Sequence, residues 1–324
     1  MAHKVILDTD PGIDDAMAIF TAIAHPDIEL LGLTTTFGNV SVAQACMNAL
    51  SLVEMAEADV PVCIGESWPM LRDPVPFADF VHGMDGLGEQ FLPPPHRRAH
   101  HQFAAEFIIE QVKAHPGEVT LVAVGPLGNL ARVLELEPGI TKLVRQVVLM
   151  GGAISQCGNV SPVAEANIFA DPHAADKVME AGWPLVVIGL DVTYQVLFDR
   201  RLFAYIAANN RRVGSFMHRA ADFYIDFYQH EHKVAGCYGH DISAIAYVVN
   251  PALFSTIEGS LCVVPDGIAT GQTIMKRVQG DAYFVKAWDN RPRHKACMQV
   301  DAQGVIDLFR NTMTNSFWKP RGRG

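Results

Sequence analysis

The chain has 324 residues, of which 49% are apolar and 19% charged, so it has the composition of an ordinary globular protein and not of a disordered or fibrous one. Its formal net charge of −10 argues against a nucleic-acid partner, because such binding depends on Lys and Arg side chains that neutralise phosphates. We therefore expect a small partner that is neutral or cationic.

The six cysteines are scattered, without a Cys-x-x-Cys pair or a short Cys/His spacing. This pattern favours buried, reduced thiols over a disulfide framework or a zinc site. The opening MAHKVILD turns acidic without the long apolar core of an export signal, and no segment sustains about 18 apolar residues. We therefore expect a cytoplasmic protein with no membrane span.

Short apolar runs that end in Gly, Asp or Asn alternate with helix-like segments along the chain. Runs rich in Val, Ile and Leu are typical of strands buried on both faces. In chain order, the predicted strands lie in KVILDTD, IELLGLTTTFGN, VTLVAVGPLGN, RQVVLMGGA and PLVVIGLD, and the predicted helices cover 15–24, 41–58, 104–114 and 172–181. Asp171 is predicted to cap the last helix, ahead of Pro172 at its first position.

This alternation predicts an α/β fold with an open, mainly parallel central sheet and helices on both faces. We predict a single domain over 1–324, because no repeat, low-complexity tract or obvious linker divides the chain. Segment 68–95, rich in Pro, Gly and Asp, is predicted to be a long loop excursion, and 318–324 a flexible tail.

The ends of the predicted strands carry groups suited to a binding site. In parallel sheets, ligands bind beyond the carboxyl ends of the strands, where the strand order switches direction. We therefore expect one crevice at which these ends converge, namely Asp10, Asn39, Val124 with Gly125, and Met150.

Four carboxylates occur in the stretch DTDPGIDDA, directly after the first predicted strand. A hard divalent cation can compensate such a cluster, since Ca²⁺ collects about six to eight oxygens from carboxylates, carbonyls and waters. The alternative is that Asp8 and Asp10 cap turns while Asp14 and Asp15 open a helix, where the helix dipole favours negative charge. Because neighbouring helical residues point about 100° apart, Asp14 and Asp15 are expected to serve different partners.

The same nonapeptide resembles the signature of the inosine-uridine-preferring nucleoside hydrolases. Further motifs follow in the family's order and spacing, from about residue 5 to beyond residue 250: TTTFGN, VAVGPLGN, LMGGA, GNVSPVAEANIFADPHAA and GHDISAIAYVVNP. The resemblance implies a nucleoside hydrolase-like fold and a Ca²⁺-dependent enzyme that cleaves the N-glycosidic bond of ribonucleosides to give ribose and free base. It also implies a homo-oligomer, either a dimer or a tetramer.

The resemblance assigns roles by position. It implies that Asp10, Asp15, Asp241 and the backbone carbonyl of Val124 bind the calcium ion, together with a water and two ribose hydroxyls. It further implies that Asp10 is the base that takes a proton from this water, and that His240 is the leaving-group acid. The implied substrate-binding residues are Asp14, Asn39, His82, Met150, Glu165, Asn167, Tyr224 and Tyr228.

Alternatives remain open for two of these assignments. His82, in VHGMDGLGE, could equally be an exposed loop histidine. Tyr224 and Tyr228 lie one helical turn apart in ADFYIDFYQH and share a face, which is also the pattern of core packing.

The sequence departs from the family pattern in the sugar pocket. Ala166 occupies a position where relatives commonly have a bulky aromatic residue near the ribose. The loop GGAISQCGNV is one residue longer than in some relatives. Both differences concern the sugar, whereas purine or pyrimidine preference does not follow from the sequence.

Two other functions remain open at this level. Haloacid-dehalogenase-like phosphatases also begin with an apolar strand and Asp-x-Asp, and this function would need Asp8 as nucleophile and Mg²⁺. Pro11 and the pair Asp14 and Asp15 have no counterpart in that pattern. The other alternative is a nucleoside- or ribose-binding protein without turnover, for which Ala166 is the only indication.

Overall fold

The apolar runs of the sequence form the centre of a nine-stranded sheet. The computed structural model describes residues 2–278 and 283–318. Nine of the described strands form this sheet, and β7 and β8 form a separate pair. The strands are β1 His3–Thr9, β2 Ile28–Thr35, β3 Val62–Ile64, β4 Val119–Ala123, β5 Gln146–Met150, β6 Leu185–Ile188, β7 Leu197–Phe198, β8 Cys237–Tyr238, β9 Phe254–Val263, β10 Thr273–Arg277 and β11 Arg293–Val300.

The sheet is mainly parallel, as predicted. Its strand order is β10-β9-β11-β6-β5-β4-β1-β2-β3, and all neighbours from β11 to β3 are parallel. Within the described part of this sheet, the antiparallel pairs are those that β9 forms with β10 on one side and with β11 on the other. The small strands β7 and β8 form a separate antiparallel pair.

Helices flank the sheet, and the predicted ones form with small shifts of their ends. The helices are α1 Ile13–Ala24, α2 Val42–Met55, α3 Asp79–His82, α4 Ala104–Ala114, α5 Gly128–Leu136, α6 Ala166–Ala170, α7 Pro172–Glu180, α8 Leu190–Thr193, α9 Arg200–Asn209, α10 Gly214–Glu231, α11 His240–Val249 and α12 Ala302–Met313.

Two of these helix ends show how local chemistry sets a boundary. The Asp171 side chain accepts a hydrogen bond from the Ala174 amide at 3.0 Å, so the predicted cap of α7 is confirmed. Helix α2 ends at Met55 and not at residue 58 as predicted. Glu57 adopts a left-handed backbone with φ of 52°, which an α-helix cannot continue through.

The strands are apolar on both faces because each face of the sheet is covered. Along β1, Val5 and Leu7 pack into the hydrophobic core on one side, whereas Ile6 packs into the core on the other. Successive side chains of a strand point to opposite faces, so a strand buried on both sides needs an unbroken apolar run. This accounts for continuous apolar runs, such as Val5 to Leu7, at the centre of the sheet.

The switch in strand order lies at β1. The chain proceeds from β1 to β2 and β3 on one side, then crosses to β4, β5 and β6 on the other. The carboxyl ends of β1 and β4 are therefore neighbours at the edge where a parallel sheet binds ligands. Asp10 follows β1 and Val124 follows β4 at this point.

The two irregular segments have different outcomes. Segment 68–95 is largely irregular and contains only the short helix α3, yet it contributes the buried residues His82 and Leu87. Trp318, the first residue of the predicted tail, is buried and donates a hydrogen bond from Nε1 to the Thr312 carbonyl at 2.9 Å. The rest of that tail, 319–324, lies outside the described residues.

Within residues 2–278 and 283–318, no helix has both the length and the apolar character needed to cross a membrane. The six cysteines are free; four are buried, Cys262 is half-buried and Cys157 is exposed.

Candidate active site

Asp15 is fixed by four hydrogen bonds in the first turn of α1. Its Oδ1 accepts from the Thr9 hydroxyl at 2.5 Å and from the Asp10 amide at 3.2 Å. Its Oδ2 accepts from the Gly12 amide at 2.9 Å and from Asn39 Nδ2 at 3.1 Å. Burial, together with the nearby charge of Asp14, raises the pKa of Asp15 to about 6. The strand end and the helix start therefore hold this carboxylate in one orientation.

Asp10 lies beside Asp15 but has fewer partners. Its Oδ2 accepts from the Asn39 amide at 2.6 Å, whereas its Oδ1 is buried without a hydrogen-bond partner. A Cβ atom at either Gly38 or Gly125 would overlap the Asp10 carboxyl group, so both positions require glycine. Burial raises the pKa of Asp10 well above its ordinary value, and the charge of Asp15 raises it further.

A group of three buried carboxylates lies at the same place. Oxygens of Asp14, Asp15 and Asp241 all lie within 4.8 Å of one another. Oδ1 of Asp14 is buried without a partner, and burial raises the pKa of this residue to about 6. The pKa of Asp241 is raised well above its ordinary value by burial and by the charges of Asp14, Asp15 and Asp10. The charges of Asp14, Asp15 and Asp241, and that of Asp10 beside them, therefore affect one another.

Such a group fits a hard divalent cation. The donor atoms are carboxylate oxygens, of which one on Asp10 and one on Asp14 lack any other partner. Asp15 and Asp241 were predicted as metal ligands and also belong to this group of three carboxylates. Asp10 was predicted as a ligand but is not in the group, whereas Asp14 is in the group but was predicted to bind the substrate. Buried carboxylates with free oxygens are the ligands that Ca²⁺ or Mg²⁺ takes in proteins.

A cavity opens above the carboxylates, and the structure brings the predicted site residues together in it. Asp10 and Asp15 lie behind its wall, where both are hydrogen-bonded to Asn39. The remaining predicted residues line the cavity: Asp14, Asn39, His82, Val124, Met150, Glu165, Asn167, Tyr224, Tyr228, His240 and Asp241.

One wall of the cavity comes from the start of α6. Glu165 caps this helix: its Oε1 accepts from the Asn167 amide at 3.0 Å, and its Oε2 accepts from the Gly152 amide at 3.0 Å. Asn167 Nδ2 donates to the carbonyls of Val124 at 2.7 Å and Met150 at 3.2 Å. The ends of β4 and β5 are thus tied to α6. A carbonyl has two lone pairs, so this bond leaves Val124 able to accept once more.

His82 is buried, and is not the exposed loop histidine of the alternative interpretation. Its Nδ1 accepts a hydrogen bond from the Ile13 amide at 3.2 Å, at the start of α1. Its ring lies 5.3 Å from the ring of Tyr224. Burial lowers the pKa of His82 to about 4, so the ring is neutral near pH 7 and carries its proton on Nε2.

Tyr224 and Tyr228 line the cavity as well as packing against the core. The Tyr224 hydroxyl donates to Asp14 Oδ2 at 3.2 Å and lies 3.3 Å from the Tyr228 hydroxyl. The Tyr228 hydroxyl lies 2.9 Å from His240 Nε2. Burial lowers the pKa of His240 to about 3, so this ring is also neutral. A continuous chain of hydrogen bonds thus leads from the carboxylates to His240.

Several residues of this region were not predicted from the sequence. Tyr194, Phe227 and His232 line the cavity. Thr193 holds His240 from behind, with Oγ1 2.8 Å from Nδ1. Thr193 and Tyr194 follow the predicted strand PLVVIGLD, so the rule that strand ends bear site residues could have pointed to them.

Comparison with known proteins agrees with the motifs. The profile of the family described as "Inosine-uridine preferring nucleoside hydrolase" matches residues 5–307. The chain is 41% identical to "Probable uridine nucleosidase 2" of Arabidopsis thaliana, over 97% of this chain and 98% of the relative. It is 39% identical to "Inosine-uridine preferring nucleoside hydrolase" of Leishmania major, over 85% of this chain and 88% of the relative.

Solved structures give the same result. A plant nucleoside hydrolase superposes with a TM-score of 0.94 at 36% identity, covering 97% of this chain and 99% of the other. A purine-preferring ribonucleoside hydrolase from Gardnerella vaginalis superposes with a TM-score of 0.89 at 33% identity, covering 96% and 98%. The predicted fold class and the family resemblance are confirmed, and the phosphatase and binding-protein alternatives are set aside.

We predict that Ca²⁺ stabilises the protein more at pH 7.5 than at pH 5. Asp14 and Asp15 have pKa values near 6 in the folded chain against 3.8 ordinarily, so the folded state binds more protons than the unfolded one between these values. The metal-free protein should therefore lose stability as pH rises from about 4 to about 7. A cation replaces the protons, and at 100 times its Kd it should add about 2.7 kcal/mol, or roughly 5 °C in Tm.

The measurement is Tm with excess Ca²⁺ and with chelator at both pH values. If Ca²⁺ does not raise Tm, or raises it as much at pH 5 as at pH 7.5, the result would contradict a cation site among these carboxylates.

Proposed function

The chain belongs to the family of inosine-uridine preferring nucleoside hydrolases and hydrolyses the N-glycosidic bond of ribonucleosides, and we propose that it does so with Ca²⁺ held by the buried carboxylates. The observation that carries this proposal is the group of carboxylates at the switch point of the sheet, with unpartnered oxygens on Asp10 and Asp14.

The proposed ligands are Asp10, Asp15, Asp241 and the Val124 carbonyl. The three side chains supply charge, and the carbonyl supplies a neutral oxygen, which is a donor set that Ca²⁺ accepts. When bound, the ion supplies Lewis-acid chemistry: it lowers the pKa of a water and orients hydroxyl oxygens of the sugar. Asp14 then remains available to the ribose through its free Oδ1.

In the proposed reaction, Asp10 takes a proton from the water that attacks the anomeric carbon. Its Oδ1 has no hydrogen-bond partner in the protein, so this oxygen is available to accept the proton. The transition state for glycosidic cleavage resembles an oxocarbenium ion, so positive charge develops on the sugar ring. The carboxylates around the sugar stabilise that charge.

The ribose hydroxyls are proposed to bind Asp14, Asn39, Glu165 and Asn167, and the backbone at Met150. These groups come from the first turn of α1, the N-cap and first turn of α6, the loop after β2 and the end of β5. Because hydrogen bonds within the protein already fix Asn39, Glu165 and Asn167, their remaining polar atoms are preorganised for the sugar.

The base is proposed to lie against His82, Tyr224, Tyr228 and His240. Aromatic rings can stack on a base, while their polar atoms form hydrogen bonds to it. His240 is the proposed leaving-group acid. As a neutral ring it assists by donating a hydrogen bond, directly or through Tyr228, to the base as negative charge develops there. Relatives named for uridine and inosine make these two nucleosides the first substrates to test.

We also propose that the protein is a cytoplasmic homo-oligomer, either a dimer or a tetramer. The six free cysteines are consistent with a reducing compartment. Sedimentation at several protein concentrations would test the oligomeric state.

We predict that Asp10→Asn lowers kcat for uridine by roughly a thousandfold, because the amide cannot accept the proton of the attacking water. Reducing-sugar release measures the rate, and circular dichroism measures folding. Asp27→Asn is the matched control, since Asp27 is exposed and is not among the residues that line the cavity. A folded Asp10→Asn variant with near-normal kcat would remove Asp10 from the reaction.

We predict that 2′-deoxyuridine is hydrolysed with a kcat/KM at least about 100-fold lower than that of uridine. The missing hydroxyl leaves a buried acceptor or donor of the sugar pocket without its partner. Both substrates are assayed by sugar release under identical conditions. Comparable values for the two would contradict a pocket built around the ribose hydroxyls.

We predict that uridine 5′-monophosphate is a poor substrate, with kcat/KM about 100-fold below that of uridine. Among the described residues that line the cavity, none is Lys or Arg, whereas Asp14, Glu165 and Asp241 are acidic. A phosphate dianion would be repelled there and would find no cationic partner. Efficient sugar release from the nucleotide would contradict this assignment, and phosphate release would restore the phosphatase alternative.

A further inference from the structure

The strongest unassigned feature is a hydroxyl at the far end of the hydrogen-bond chain. Thr193 is fully buried, and its Oγ1 lies 2.8 Å from Nδ1 of His240. On the other side of the ring, Nε2 lies 2.9 Å from the Tyr228 hydroxyl. Both ring nitrogens of His240 therefore have a single side-chain hydroxyl as partner. A neutral imidazole has one donor and one acceptor, so these two bonds determine where its proton lies.

The direction of each hydrogen bond between Asp14 and His240 follows from the chemistry of the groups. A carboxylate can only accept, so the Tyr224 hydroxyl donates to Asp14 and its oxygen accepts from Tyr228. The Tyr228 oxygen then accepts from Nε2–H of His240. Nδ1 is left as an acceptor, and the hydroxyl of Thr193 is the group that donates to it.

We propose that Thr193 is a positioning residue whose hydroxyl holds His240 with Nε2–H directed to Tyr228 and the base end of the cavity. This inference rests on the proposed function, in which His240 assists the departure of the base. When the bond from the anomeric carbon to nitrogen breaks, its electron pair goes to the base. With the base bound, the Tyr228 hydroxyl donates to the base in place of Tyr224 and stabilises the negative charge that develops there, while Nε2–H of His240 donates to the Tyr228 oxygen and strengthens this donor. The base afterwards takes a proton from water.

The hydroxyl is not required to build the helix that carries it. Helix α8 is attached through Asp191, which accepts hydrogen bonds from the Ile154 amide at 2.9 Å and the Ser155 amide at 2.7 Å. The Thr193 amide donates to the Gly189 carbonyl at 3.1 Å. These contacts use backbone and the Asp191 carboxylate. Loss of the Thr193 hydroxyl should therefore change the hydrogen bonding of His240 and leave α8 in place.

The ring itself is confined by its neighbours. Its centroid lies 5.9 Å from that of Tyr194 and 5.8 Å from that of Tyr238. Packing thus restricts where the imidazole lies, whereas the two hydroxyls decide which nitrogen carries the proton. A variant without the Thr193 hydroxyl retains the packing and loses the control of the proton.

The experiment compares Thr193→Val with Thr193→Ser on two substrates. Uridine has a leaving group that needs assistance, whereas p-nitrophenyl β-D-ribofuranoside releases a stable anion that needs little. Thr193→Val should lower kcat for uridine about tenfold and leave its KM within about threefold, the signature of an interaction made in the transition state. The nitrophenyl riboside should be cleaved at close to the wild-type rate. Thr193→Ser keeps the hydroxyl and should restore uridine hydrolysis.

Two further variants make the result specific. Thr120→Val is the matched control, because Thr120 is fully buried in β4 and its hydroxyl has no hydrogen-bond partner; it should behave as wild type on both substrates. His240→Ala should show the same selective loss on uridine. Adding Thr193→Val to it should cost little more, because the two residues act through one interaction.

Any of four results would overturn the role of Thr193. The first two are equal losses on both substrates and a wild-type kcat for folded Thr193→Val. The others are failure of Thr193→Ser to restore uridine hydrolysis and additive losses when Thr193→Val is combined with His240→Ala. His240→Ala without a selective loss would overturn the role of His240 and, with it, that of Thr193. Absence of sugar release by the wild-type protein from either substrate would instead overturn the proposed function itself.

Discussion

Repulsion among four buried carboxylates is the constraint on which the rest of the site depends. Asp10, Asp14, Asp15 and Asp241 share one space from which water is largely excluded, and among the described residues no Lys or Arg lines the cavity there. Taking a charge out of water without a partner is costly, so each of these groups has a raised pKa. Either protons or a cation must compensate the charge. Raised pKa values are thus the expected property of carboxylates that are grouped to bind a cation.

The fold supplies part of this compensation through its backbone. Asp14 and Asp15 lie in the first turn of α1, and Asp241 lies in the first turn of α11. The unpaired amides at a helix N-terminus carry partial positive charge, which stabilises carboxylates at that position. Two helices thus direct their N-termini at one end of β1. These amides favour the ionised form of the carboxylates, whereas a neighbouring Lys or Arg would neutralise the charge that attracts a cation.

The sequence predicts the parts of the fold that depend on local pattern. The parallel strands around β1 were visible because burial on both faces requires continuous apolar runs. The strands β9, β10 and β11 at one side of the sheet were not predicted, since each mixes exposed and buried residues, as in the stretch Ser255 to Glu258 of β9. Family motifs marked the residues that the cavity brings together. Thr193 belongs to no such motif, because its contact with His240 joins residues 47 positions apart and arises only in the folded chain.

Asp14 connects the two ends of the cavity. Its Oδ2 accepts from Tyr224 at the base end, while its Oδ1 has no partner and belongs to the carboxylate group. A protonated Asp14 could donate to Tyr224, which would allow every hydroxyl of the chain to reverse and Nε2 of His240 to become an acceptor. A cation among the carboxylates disfavours that proton, so it keeps Asp14 as an acceptor. The charge that binds the sugar end therefore also sets the direction of the hydrogen bonds at the base end, because Asp14 accepts the last hydrogen bond of the series that begins at His240.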